Sequence, residues 1–160
     1  MRRFLKRRRF RSRDITTLPL PGGNQSGEQW VRVRYPAELR AIRGRQRSCL
    51  IVVTDADAGS TEARRAQLEA ECRQQQIPPR EDADPVVVVV PRRNIETWLA
   101  YLDGTQVDEV TAYPRLPRER DCAAHANRLY AMCHEDQRLI EPVPPSLREA
   151  CKEYGRLRRP

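Results

Sequence analysis

The sequence predicts an α/β fold: a mostly parallel sheet flanked by helices on both faces, followed by a helical C-terminal extension. Three observations predict it. "CLIVV" (49–53) and "VVVVV" (86–90) are continuous, β-branched apolar runs without alternation, the pattern of strands covered on both faces. A helix-patterned stretch separates them, so the connection is a crossover and the strands run parallel. Everything after residue 111 reads as helix or linker. The implied organisation is a basic N-terminal helix over 1–13, an α/β core over 14–110 and a helical extension over 111–160 packed on that core.

Taken in order, "MRRFLKRRRF" can form a helix with Phe4, Leu5 and Phe10 as its apolar side. "DITTLPL" (14–20) is β-rich and short, and Pro19 marks a strand end. "PGGNQSGEQ" is the strongest loop signal in the chain, and its glycines would permit close approach of an anion. Ser26, with Gln29 three residues on, can cap a helix through "EQWVRVRYPAELRAIRGR", in which Pro36 is a kink or a restart. "STEARRAQLEAECRQQ" has a Ser/Thr start and Glu62 near its positive end. After the second strand, "NIETWLAYLDG" reads as a short helix capped by Asn94 and stopped by Gly104. "RERDCAAHANRLYAMCHED" and "PSLREACKEYGRLR" are further helices.

The chain has 160 residues and a net charge of +8. Residues 1–13 hold eight basic side chains and no acid, so the remainder carries 22 of each sign and the whole excess sits at the N-terminus. Of 30 basic residues, all but Lys6 and Lys152 are arginine, whose planar fork suits phosphate. This makes Arg2, Arg3, Lys6, Arg7, Arg8 and Arg9 candidates for nucleic-acid contact, with a solvated helix face as the alternative. No run reaches the roughly 18 apolar residues of a membrane helix, and no apolar segment of a secretory signal follows the basic start. Five cysteines without a CxxC point to a reducing, cytoplasmic location. Cys122, His125, Cys133 and His134 fit no common zinc spacing and read as helix residues.

Sites in parallel sheets form at the carboxyl ends of strands. "TDAD" follows the first strand there and "RRNIE" follows the second. In extended chain Asp55 and Asp57 would point to one side, ~6.5 Å apart at Cα. Two such carboxylates repel, and Mg²⁺ or Mn²⁺ relieves that repulsion with hard oxygen ligands. Glu96 is a candidate third ligand or general base, Asn94 a helix cap or orienting group, and Arg92 and Arg93 phosphate contacts. The set suits phosphoryl transfer or phosphodiester cleavage; the alternative is a polar strand-to-helix turn. Neither lysine lies near these acids, against a restriction-type nuclease core. "DADAGST" lacks the residue a haloacid-dehalogenase nucleophile motif carries after its second aspartate. The chain is short for a nucleotide-sugar glycosyltransferase, and it has no Gly-Lys-Ser/Thr P-loop.

An apolar strand ending in "VVTDAD", a helix, a second apolar strand and then "RNIETWLAYL" resembles the Toprim-like proteins of phage-defence and DNA-repair islands. These include small stand-alone relatives of the overcoming-lysogenisation-defect nucleases. The resemblance spans roughly residues 48–103, and Asn-x-Glu-x-Trp-Leu from Asn94 is its more distinctive part. It implies a Toprim/Rossmann-like fold and Mg²⁺-dependent cleavage of DNA or RNA in phage defence. In that resemblance Asp55 and Asp57 match the metal-binding DxD, and Glu96 matches the acid after the next strand. The family's first-strand acid would precede "RRFLKRR": either a strand upstream of Met1 carries it or the protein lacks it. Glu28 would substitute if its loop folds back over the site. Without that acid, the implied alternative is a non-catalytic nucleic-acid-binding or accessory subunit of a defence complex, with a protein partner.

Overall fold

The computed structural model describes residues 1–20, 26–134 and 138–157. The middle of the glycine-rich loop, residues 21–25, and the ends of the last two expected helices lie outside the described residues. The chain is α/β, with six α-helices and a single parallel pair of strands among the described residues.

The strands form where the apolar runs predict them. β1 (Leu50–Val53) pairs in parallel with β2 (Val86–Val89), Val52 standing opposite Val88. The valines of β2 alternate between two cores. Val86, Val88 and Val90 pack with Val52 and with α2 (Gly27–Arg43) and α3 (Thr61–Gln74), through Tyr35, Leu39, Leu68 and Cys72. Val87 and Val89 pack with α1 (Arg2–Arg7), α4 (Ile95–Leu102), α5 (Ala123–His134) and α6 (Pro145–Gly155), through Phe4, Trp98, Leu129 and Leu147.

The expected larger sheet is corrected. "DITTLPL" is not a strand: Asp14 closes a short 3₁₀ turn, and residues 16–20 run exposed without a ladder partner. β-propensity forms a strand only where an apolar face and a partner exist, and Pro19 lacks a ladder donor.

The helix boundaries follow their caps. Ser26 Oγ accepts from Gln29 N at 3.1 Å, and Ser60 Oγ accepts from Ala63 N at 3.0 Å. Pro36 neither ends nor restarts α2, which runs through it with Pro36 buried. Gly104, at φ +89°, ends α4 in the left-handed region that only glycine adopts without strain. Six residues are too few for a helix to stand alone in water, so α1 rests on its apolar side. There Phe4 stacks on Tyr154 with ring centroids 4.4 Å apart.

The cysteine spacing gave no sign of one pairing. Cys133 of α5 and Cys151 of α6 form a disulfide with Cα atoms 5.0 Å apart, leaving Cys49, Cys72 and Cys122 free. The irregular spacing hid this pair because the meeting of two helix faces, not a spacing motif, brings it together. No described helix is long and apolar enough to cross a membrane.

Ser60→Ala removes the side-chain oxygen that accepts from Ala63 N at the start of α3. It is expected to cost about 1 kcal/mol of stability, read by urea unfolding.

Candidate functional site

Backbone pairing extends past both strands and builds the site. Thr54 N donates to Val89 O at 3.2 Å, and Ala56 N donates to Pro91 O at 2.9 Å. Asp55 is therefore held level with Val90 and Pro91, and the first turn of α4 stands immediately beyond. Thr54 and Ala56 are buried; Asp55, between them, is half-buried.

The chain then turns sharply. Asp57 has φ +54°, a left-handed conformation that Asp adopts more readily than most residues. Gly59 N closes the turn onto Ala56 O at 2.9 Å. This corrects the expectation from extended geometry: the two carboxylates do not lie side by side. Asp57 swings outward with its side chain 68% exposed, while Asp55 stays at the sheet edge.

Arg64, one turn into α3, organises this corner. Its Nε donates to Asp55 O at 3.0 Å, its Nη2 lies 3.3 Å from Asp57 Oδ2, and its Nη1 lies 2.5 Å from Glu28 Oε1. The guanidinium thus ties the Asp55–Asp57 turn to the first turn of α2. Glu28, in the first turn of α2, reaches the corner, but it arrives paired with Arg64 and with Arg32 at 3.4 Å; the middle of the loop expected to fold back lies outside the described residues. A shallow pocket of about 230 Å³ lies on the Asp57 side, lined by Asp57, Ser60, Arg64 and Gln67 among others.

Glu96 sits in the first turn of α4, its side chain 13% exposed, with Arg115 Nε 3.5 Å from Oε1. Asn94 occupies the N-cap position without capping through its side chain; its Oδ1 instead accepts from the Thr97 hydroxyl at 3.5 Å. Arg92 lies close enough to Glu62 to lower that carboxyl's pKa, though Glu62's own hydrogen bonds do more. Arg93 Nη1 donates to Val110 O at 2.9 Å and so fastens a loop.

Asp55 carries the electrostatic signature of the corner. Its carboxylate makes no direct hydrogen bond or ion pair among the described residues. Its pKa is pushed up to about 6, first by burial and then by the negative charges of Asp57 and Glu96. Asp55 therefore senses both other acids, yet among the described residues no group of three or more acids, histidines or cysteines stands as a ready cage for an ion. The all-carboxylate donor set suits a hard divalent cation. Joint ligation would require Asp57 and Glu96 to leave Arg64 and Arg115.

The N-terminal basic residues divide. Arg3, Lys6 and Arg9 are exposed. Arg2 and Arg7 bond within the fold, to Ser12 O at 3.4 Å and to Asn127 Oδ1 at 2.5 Å. Arg8 is engaged within the fold: its guanidinium donates to the carbonyls of Tyr154 and Leu157 and contacts His134, fastening α1 to the end of α6. The zinc-like quartet is likewise dispersed, since Cys133 is in the disulfide, His134 meets Arg8, and His125 Nε2 lies 2.8 Å from Asp103 Oδ2.

Two residues of the corner, Arg64 and Arg115, have no motif in the sequence to mark them. Arg64 lies in an ordinary helical "EARR", and Arg115 in a Pro-rich loop 19 residues beyond Glu96. The chain matches no protein-family model, no curated protein and no solved structure.

Proposed function

We propose that the carboxyl edge of the sheet is a metal-assisted site for cleaving nucleic-acid phosphodiesters, in the manner of a Toprim-like nuclease, and that phage defence is its setting. The observation that carries this reading is Asp55. It is a half-buried carboxylate without a direct partner among the described residues, its pKa raised to about 6 by burial and by Asp57 and Glu96. Arg64 and Arg115 offset that rise only in part, and carboxylates perturbed in this way cluster at functional sites. The division of the β2 valines between two cores supports reading this small sheet as a reduced, doubly covered Toprim/Rossmann-like core.

Asp55, Asp57 and Glu96 would hold Mg²⁺ or Mn²⁺, which supplies charge neutralisation and an activated water when bound. The chain's own residues do the rest. Arg64 fixes the Asp55–Asp57 turn through the Asp55 carbonyl. Arg115 is 87% exposed, so it can exchange Glu96 for a substrate phosphate at small cost. Arg92 and the exposed Arg3, Lys6 and Arg9 meet the nucleic-acid backbone. Cytoplasmic location belongs to the same proposal.

A second reading has its own observation: Asp57 and Glu96 are each paired with an arginine, as in a structural turn. The protein would then be a non-catalytic nucleic-acid-binding or accessory subunit with a protein partner.

A cleavage assay with Mg²⁺ or Mn²⁺ on plasmid, single-stranded DNA and RNA separates the two. Activity is expected, with a loss of at least about a hundredfold in Asp55→Ala/Asp57→Ala. Cleavage that survives the double change sinks the site. Tight, salt-sensitive binding without cleavage establishes the second reading.

A further inference from the structure

The two edges of this sheet are treated differently by the fold. Thr54 N and Leu50 N donate into β2, to Val89 O and Pro85 O, so the even-numbered residues of β1 face β2. The N–H and C=O groups of Ile51 and Val53 therefore point away from it. The outer edge of β2 is closed by side chains. Glu153 Oε2 accepts from Val88 N at 2.9 Å, and Arg65 Nη2 donates to Val88 O at 3.0 Å. The outer edge beyond β1 is held at Asp55 O by Arg64 Nε. Within β1 no described group bonds the outward backbone of Ile51 or Val53, and Val53 is 39% exposed. An open edge is a template for another strand.

The charges at its two ends select the occupant. Arg45 and Arg47 stand exposed at the entry to β1, without a side-chain hydrogen bond or ion pair among the described residues. Asp55 and Asp57 stand at its exit. In an antiparallel pair of two β1 strands related by a two-fold axis, the outward-facing Ile51 residues meet at the centre. Each exit then lies beside the other copy's entry. The turns at Arg47 (φ +56°) and Asp57 (φ +54°) end the extended ladder, so Asp55 and Asp57 meet the other copy's Arg45 and Arg47 as side-chain charges rather than as paired strand positions. We propose that the β1 edge pairs with β1 of a second copy of this chain, joining two two-stranded sheets into one of four strands. Each copy's arginines then flank the acidic corner of the other. The self-complementary order, basic entry and acidic exit on one strand, is what a two-fold interface requires. Parallel pairing would set Arg against Arg and Asp against Asp, at a cost.

The inference is independent of any catalytic role, and its test reads mass alone. Sedimentation of the full chain from low to high micromolar concentration is expected to show a monomer–dimer equilibrium. Val53→Lys is expected to leave monomer. Arg45→Asp/Arg47→Asp and Asp55→Arg/Asp57→Arg are each expected to weaken the dimer by at least about tenfold. An equal mixture of these two charge variants is expected to recover it, because each supplies what the other lost. Circular dichroism checks that every variant is folded; if the Asp55→Arg/Asp57→Arg chain is not, Val53→Lys and the arginine variant decide. A wild-type monomer at every concentration overturns the proposal, including one whose Ile51 and Val53 amides resist hydrogen exchange because another segment or protein covers the edge. A dimer indifferent to Val53→Lys, or folded charge variants whose mixture stays monomeric, overturns it equally.

Discussion

Glu153→Ala is expected to remove about 3–5 kcal/mol of stability, the largest effect of any single change proposed here. Glu153 projects from α6 against the outer edge of β2 and is 8% exposed. It accepts two hydrogen bonds from Arg80, at 2.7 and 2.9 Å, and a third from Val88 N at 2.9 Å. Arg65 and Arg156 lie 3.8 and 3.7 Å away. Burial is the largest influence on its carboxyl and pushes the pKa up. The Arg80 and Val88 hydrogen bonds and the surrounding arginine charge outweigh it, so the pKa falls below the usual glutamate value. Removing the carboxylate leaves Arg80 half-buried without its partner and a buried strand N–H without an acceptor. Glu153→Gln keeps the shape and an acceptor, and is expected to lose less.

The sign of the pH dependence follows. A carboxyl whose folded pKa is depressed contributes stability that is present above its unfolded value, about 4.3, and is lost as pH falls through the folded value. Wild type and Glu153→Gln should therefore converge in acid and diverge toward neutrality. Urea unfolding at a series of pH values measures both. An alanine variant within about 1 kcal/mol of wild type at pH 7 would show that this network is not what closes the β2 edge.

Asp55→Asn is expected to act in the opposite direction. Here the folded pKa is raised, to about 6, by burial first and then by Asp57 and Glu96. Between the unfolded value, about 3.9, and the folded one, the native state binds more protons than the unfolded chain. Stability therefore falls as pH rises through that window, and the ionised carboxylate is a net cost above it. Solvent screening at a half-exposed group keeps that cost modest. Asparagine removes it: the variant should melt a few degrees above wild type at pH 8, with the gain fading toward pH 4. The same change should abolish cleavage, the exchange of stability for function expected at an active site. Mn²⁺ or Mg²⁺ should raise the melting temperature of wild type at pH 8 and leave that of Asp55→Asn unchanged. A variant less stable than wild type at pH 8 would instead mark Asp55 as an ordinary structural carboxylate.

Much of the local structure was legible in the residues. The two unalternating valine-rich runs became the strands, Ser26 and Ser60 became caps, and Gly104 ended its helix. These are short-range effects, in which a side chain acts on backbone within a turn or two. The expectations that failed concerned distance. "DITTLPL" had the composition of a strand, but no described segment pairs with it. Asp-x-Asp had the spacing of two convergent ligands, but a left-handed turn at Asp57 aimed the second carboxylate elsewhere. Arg8 looked like one more surface arginine in a basic run and proved to bind the end of α6 across 146 and 149 residues of chain.

The residues alone settled which segments could be strand or helix, where the excess charge lies, and that acids stand at the carboxyl ends of both strands. Local propensity, periodicity and chain order suffice for those, because each is decided within a few residues. Packing settled what no spacing encodes: that Arg64 and Arg115 hold two of the acids while Asp55 is left without a direct partner, that Cys133 meets Cys151, and that one sheet edge is closed by Glu153 while the other is open. Those outcomes turn on which helix faces meet. That is a property of the buried surface as a whole, since the free energy of ordering a distant pair is recovered only when the core around it forms.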